Sequence, residues 1–195
     1  MAKQGLLTTA DPLIYPEFIK LLENLRKDQD YIWELYVLLS VAMGLRSYDV
    51  RTLRWEEVLD KGYVCKTEHK TNKTRKIKLH KTVACRIRNL YILLNKPAKD
   101  SYIFLNKTTD RPFTIWTINR KVRTFKVKYN LNIKAFSSHS FRKTFGRRIY
   151  DTSENKSDAL IKLQEMLNHT NPRITLRYIG LVQKDIDDAY NKITI

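Results

Sequence analysis

Cysteine is scarce in this 195-residue chain: Cys65 and Cys85 are the whole complement, too few for a disulfide framework. Such usage fits a reducing compartment and predicts two small core residues. Long apolar runs are missing as well, so no segment reads as a bilayer span, and Met1 to Leu7 lacks the charged start and apolar middle of a signal peptide. The expected location is the cytoplasm, with no membrane partner. Acidic residues are under-represented, 20 against 37 lysines and arginines, which leaves a net charge of +17. The basic surplus runs from Lys61 to Lys143 instead of sitting in a tail, which favours a polyanionic partner over a merely soluble surface. Internal repeats and low-complexity tracts are absent, and the length suits one domain with an ordinary core.

What is present is mostly helical patterning. Residues 1–11 read as a flexible leader, and Asp11-Pro12 as a helix start, with Phe18, Leu21, Leu22 and Leu25 at helical spacing. Tyr31 to Met43 has the pattern of a buried helix stopped by Gly44. Ser47 is placed to cap a short helix from Tyr48 to Leu53, leaving Arg46 in the corner between two helices. After Trp55 the period changes to two. Residues 63–67 and 75–79 read as paired strands joined by the polar segment 68–74. Helices are expected again from about His80 to Leu94, from Thr117 to Tyr129, from Ser140 onward, after a Ser157 cap, and from Asn171-Pro172. The fold class expected is mainly α with a small antiparallel sheet. The last stripe, Ile186 to Ile193, reads as one more helix.

Chemistry enters with six scattered residues: Arg46, Lys70, His139, Arg142, His169 and Tyr178. A phosphodiester repels a nucleophile until its oxygens are matched by cations, and arginine's planar, permanently charged fork does this best. His139 and Arg142 are three apart at a helix start, hence on one face. A phenol with a pKa near 10 needs cationic neighbours and a proton acceptor, and the leaving alkoxide needs an acid. Two guanidinium forks, two imidazoles, an ammonium and a phenol are sufficient to cut a phosphodiester without a metal. Each residue alone has an ordinary reading: surface arginine, helix-cap histidine, core tyrosine, loop lysine. Lys70 competes with Lys66 and Lys73, and only the joint pattern outweighs these readings. Asp49 reads as structural, near a helix start.

The residues also match a family. Gly44-Leu45-Arg46-Ser47-Tyr48-Asp49 with Leu53-Arg54-Trp55 resembles the first arginine motif of tyrosine recombinases, the phage integrase type. Lys70-Thr71-Asn72-Lys73 resembles their hairpin lysine motif, and residues 139–145 their histidine and arginine motif. Met166 to His169 with Leu176-Arg177-Tyr178 resembles the last segment, so the match covers about residues 31–182. The resemblance implies a catalytic domain over residues 12–182 that cuts and rejoins double-stranded DNA through a 3′-phosphotyrosine, without cofactor or metal. It assigns Tyr178 as nucleophile, Arg46 and Arg142 as phosphate ligands, Lys70 as general acid, His139 as an aid to proton transfer, and His169 as a phosphate-orienting group. It further implies a homotetramer on DNA, with a free monomer in solution possible, in a bacterial nucleoid or phage-infected cell, and it favours docking of residues 183–195 on a neighbouring protomer over the other reading of that stripe, core packing within its own domain. Two positions depart from the usual pattern: Asn168 replaces a glycine, and Lys143 stands where histidine is common. The rivals are a catalytically silent DNA-binding protein of the same fold and a type IB topoisomerase or telomere resolvase. An RNA-binding or ribosomal protein explains the charge but not the site.

Overall fold

The computed structural model describes residues 10–59 and 62–181. Nine helices and four strands run through them: α1 (Tyr15–Lys27), α2 (Tyr31–Met43), α3 (Ser47–Arg51), α4 (Trp55–Leu59), β1 (Tyr63–Thr67), β2 (Thr74–Lys78), α5 (Lys81–Leu93), β3 (Leu105–Asn106), β4 (Arg111–Pro112), α6 (Ile115–Lys128), α7 (Ser138–Thr152), α8 (Lys156–Leu167) and α9 (Pro172–Tyr178). The expected helix at Ile186–Ile193 and the docking segment 183–195 lie outside the described residues.

Helix α2 is the axis of the molecule. Its apolar residues point in every direction, and Trp33, Leu35, Tyr36, Leu39 and Met43 are all buried, so other helices must surround it. Helices α1, α5 and α7 do so. Helix α1 begins at Tyr15, later than Asp11-Pro12 suggests, because Asp11 is tied to the segment between α6 and α7. Its backbone N–H donates to the Ala135 carbonyl, and its carboxylate accepts from the Ala135 N–H. Ala10 is buried too, so the last two residues assigned to the leader are anchored.

Strands β1 and β2 pair antiparallel, Tyr63 opposite Lys78 through Thr67 opposite Thr74, and Val64 faces the core. The alternation that buries Val64 turns Cys65 outward, and Cys85 also lies exposed on α5, so neither cysteine is the core residue expected. The sequence pattern also hid α4 and the two-residue strands β3 and β4, which are too short to show a period. Caps differ in two places. Ser47 shares a hydrogen bond with the Tyr36 hydroxyl at 2.9 Å instead of capping α3, and α8 is capped by Asn155, not Ser157. Among the described residues, no helix is long and apolar enough to cross a membrane.

Candidate active site

Gly44 ends α2 at φ +58°, a left-handed conformation, and a Cβ there would lie 2.2 Å from the Phe145 ring. Glycine is thus required both by backbone conformation and by close approach. The reversal delivers Arg46 to the start of α3, where its guanidinium donates to Oε2 of Glu68. Arg142 reaches the same place from the second turn of α7. It is only 4% exposed, donates to the carbonyls of Gly44 (2.8 Å) and Leu167 (2.9 Å), and stands 3.7 Å from Oε1 of Glu68. The two arginines predicted to share an anion therefore converge, from positions 96 residues apart in sequence, on one carboxylate.

Three more groups hold that carboxylate. Arg75 on β2 donates to its Oε1 at 2.9 Å, while Thr71 and the Asn168 amide donate to Oε2 at 3.3 and 3.2 Å. Burial pushes the Glu68 carboxyl up, but Arg75, Arg142 and Arg46 outweigh it and hold the group below its ordinary value. Burial likewise lowers Arg142 to about 10, with Arg46 and Arg75 acting in the same direction against Tyr178 and Glu68, so it stays charged at neutral pH.

The loop between β1 and β2 carries Lys70. The Glu68 carbonyl accepts from Thr71 and Asn72, and the His69 N–H donates to Asp49 at 2.9 Å, so the fully buried Asp49 ties this loop to α3. Lys70 itself is exposed, and its charge reaches His139. Its competitor Lys66 is engaged elsewhere, donating to the Thr52 carbonyl and to Glu57.

A serine capping box opens α7: the Ser137 hydroxyl accepts from the His139 N–H, which sets that residue in the first turn. Desolvation by the surrounding protein lowers the His139 pKa, with Arg142, Lys143, Arg46 and Lys70 adding to it, even though the residue is partly open to solvent. His169 follows the left-handed Asn168 that ends α8 at φ +51°. Its Nδ1 shares a hydrogen bond with the Thr175 hydroxyl at 3.0 Å, and its ring meets that of Tyr178 edge-on at 5.1 Å. Burial, then Arg142 and Arg46, push His169 down to about 4. Tyr178 closes α9. Burial raises its phenol, while Arg142, Arg46 and a hydrogen bond from Arg142 oppose the rise. Lys143 stands 5.4 Å from the Tyr178 ring centroid and donates to the Ala10 carbonyl.

Arg46, His139, His169 and Tyr178 thus gather around Arg142, each within its field, with Lys70 at the rim. Sequence reasoning missed Glu68, Arg75 and the amide of Asn168. The signal for the first was present: Glu68 is the one acid between Lys61 and Lys81, and a lone carboxylate in so basic a run is a candidate for a buried ion pair.

Comparison with known proteins agrees with this architecture. The XerH site-specific recombinase, in a post-cleavage complex with its palindromic difH substrate, superposes with a TM-score of 0.71 at 19% identity, over 97% of this chain and 54% of that one. The catalytic domain of bacteriophage HP1 integrase superposes with a TM-score of 0.60 at 16% identity, over 94% and 95% of the two chains. The fold, mainly helical with a small antiparallel sheet, is that of a tyrosine recombinase catalytic domain. Residues 15–184 match the phage integrase family, and the chain belongs to it. Among curated relatives, the probable integrase/recombinase YoeC of Bacillus subtilis is 26% identical over 88% of this chain and 93% of its own. A tyrosine recombinase of Pseudothermotoga lettingae is 28% identical over 94% of this chain. The chain spans 60% of the latter's length and about half of the XerH chain.

Proposed function

We propose that this chain breaks and rejoins double-stranded DNA at specific sites, with Tyr178 as the nucleophile. The supporting observation is that the phenol lies in the field of Arg142 and Arg46, with its ring 5.1 Å edge-on from that of His169. The scissile phosphate is held by the free N–H groups of Arg46 and Arg142, whose attraction grows as charge builds on the oxygens. Tyr178 Oη bonds to phosphorus as its proton passes to His139, whose pKa is lowered by burial first and then by the surrounding cations. The bond from phosphorus to the 5′ oxygen breaks, and Lys70 protonates that oxygen. A 3′-phosphotyrosine and a free 5′-hydroxyl result, and attack by another strand's hydroxyl reverses the step. In the tautomer whose Nδ1 accepts from the Thr175 hydroxyl, His169 carries its proton on Nε2 and offers it to the phosphate.

In this reading the catalytic unit runs to residue 182 and includes Ala10 and Asp11, residues 1–9 are a leader, and 183–195 form a helix docking on a neighbouring protomer. Four such units act together on DNA in the cytoplasm. Randomly nicked duplexes drawn from DNA flanking its own gene supply the test, because loss of the short nicked strand traps the covalent intermediate. The native chain accumulates a protein–DNA adduct on a denaturing gel, and Tyr178→Phe binds the same DNA without forming any. Adduct from Tyr178→Phe would move the nucleophile to another tyrosine. No adduct from either would leave a DNA-binding protein of the same fold.

A further inference from the structure

At the centre of the six proposed active-site residues stands a charge that the reaction does not use. Glu68 is completely buried, with Arg46, Arg75, Thr71 and Asn168 donating to its carboxylate and Arg142 at 3.7 Å. A carboxylate so far from water persists only where its partners offset the desolvation. Three guanidinium groups around one carboxylate do this and keep a surplus of two positive charges, enough for a phosphodiester to be attracted. Without the carboxylate, the three guanidinium groups would repel one another.

We propose that Glu68 is a positioning residue that sets the shape of the anion site, fixing Arg46 and Arg142 toward a common target and holding the Lys70 loop in register with them. The inference rests on the strand-transfer reading above. Two of the five donors of Arg142 are spent on Gly44 and Leu167, so its orientation is already fixed, and Glu68 brings Arg46 to match it. The same residue closes the loop, its carbonyl accepting from Thr71 and Asn72 and its N–H donating to Lys73. Asn168 supplies an independent sign. Glycine would satisfy its left-handed backbone equally well, but only the amide adds a bond to Glu68 directly before His169. A carboxylate acting instead as a plug in the phosphate's place would be reachable from solvent, and this one is not.

The test measures adduct formation, DNA affinity and melting temperature for the full chain, using the nicked duplexes as probe. Glu68→Gln keeps the shape and removes the charge. It is expected to bind DNA at least as tightly as the native chain, having gained net positive charge, and to form adduct about 100-fold more slowly, the effect of misplaced reacting groups. Glu68→Asp restores the charge and recovers part of the rate. An adduct rate equal to or above the native one overturns the proposal, as does a rate that falls only in step with melting temperature. Should Glu68→Gln not fold, Asn168→Gly decides. Adduct formation reduced severalfold, with unchanged melting and DNA affinity, supports the role, and a native rate overturns it. If the native chain itself forms no adduct, the strand-transfer reading falls and this inference with it. If the native chain reacts and Glu68→Gln matches it, only the role of Glu68 falls.

Discussion

Two hydrophobic clusters carry the candidate site, and they are very unequal. The large one runs from Leu13 to Phe141 through α1, α2, α5 and α6, and it supports Arg46, Asp49 and the base of the Lys70 loop. The small one consists of Phe145, Leu163, Leu167, Ile179 and Leu181, with Leu176 and Tyr178 packed against it, and it supports His169 and the nucleophile candidate. At roughly 1.5–3 kcal/mol per fully buried large side chain, the second cluster holds its helices far less firmly than the first. Local opening free energies follow such differences, so α9 should open well before α2 does. The proposed phosphate grip therefore stands on rigid ground, while the phenol rests on a smaller unit whose register with the grip must be fixed separately. Arg142 fixes it, with one N–H group on the Gly44 carbonyl beside the large cluster and another on the Leu167 carbonyl in the small one.

The largest expected effect comes from removing that link. Arg142→Ala deletes a proposed phosphate ligand and leaves the Gly44 and Leu167 carbonyls without this donor, so adduct formation should fall by about 100- to 1,000-fold or more. The melting temperature should fall as well. Arg142→Lys separates the two roles, because an ammonium keeps the charge but lacks the fork that spans both carbonyls. It should lose most of the adduct rate while retaining DNA affinity. A native rate in Arg142→Lys would mean that charge alone suffices, and the link between clusters would then carry no functional weight.

A smaller effect separates the clusters from each other. Leu39 and Leu163 are both completely buried, one in each cluster, and truncation to alanine costs about 2–5 kcal/mol at such sites. In Leu39→Ala the loss should appear as global instability, with the adduct rate per folded molecule unchanged. In Leu163→Ala it should appear first as faster hydrogen exchange in α9, together with a lower adduct rate per folded molecule. Identical behaviour of the two variants would erase the distinction drawn here.

The same contrast explains what could be read from the residues alone. The elements of the large core were legible because α1 carries an apolar stripe at helical spacing, α2 is an apolar run of helical length stopped by Gly44, and the β1–β2 hairpin shows alternation with a polar turn. Short elements escaped, since α4, β3 and β4 hold too few residues for a period to emerge. The six site residues were legible as types in a familiar order, and five of them meet in space. Arg75 was not, because an ion pair between a strand end and its partner strand leaves no periodic trace, and Glu68 showed only as a lone acid in a basic run, a weak sign because a glutamate in a polar loop is ordinarily solvated. Asn168 was recognised for its backbone, and its amide's bond to a residue 100 positions away could come only from the fold.

The smallest effect expected is that of pH, and it too should be felt first in the small cluster. Folding lowers His169 from 6.5 to about 4, so between those values the unfolded chain binds a proton that the folded chain refuses. Stability is then greatest above about pH 6.5 and declines as the pH falls toward 4, by at most about 1.4 kcal/mol per pH unit and by less for a ring partly open to water. His139, also lowered on folding, acts with the same sign. Glu68 is held below its ordinary value in the folded state, so its contribution is present above the unfolded carboxylate pKa and is lost only at more acidic pH, as its folded pKa is crossed. The histidines therefore own the window from about pH 6.5 to 4. Melting curves taken at about pH 7 and about pH 5 should show the native chain losing stability, with a shallower loss in His169→Gln, and α9 amides should gain exchange before those of α2. Parallel slopes for the two proteins would place the acid sensitivity outside the small cluster, and the support of Tyr178 would no longer be the part of the molecule that yields first.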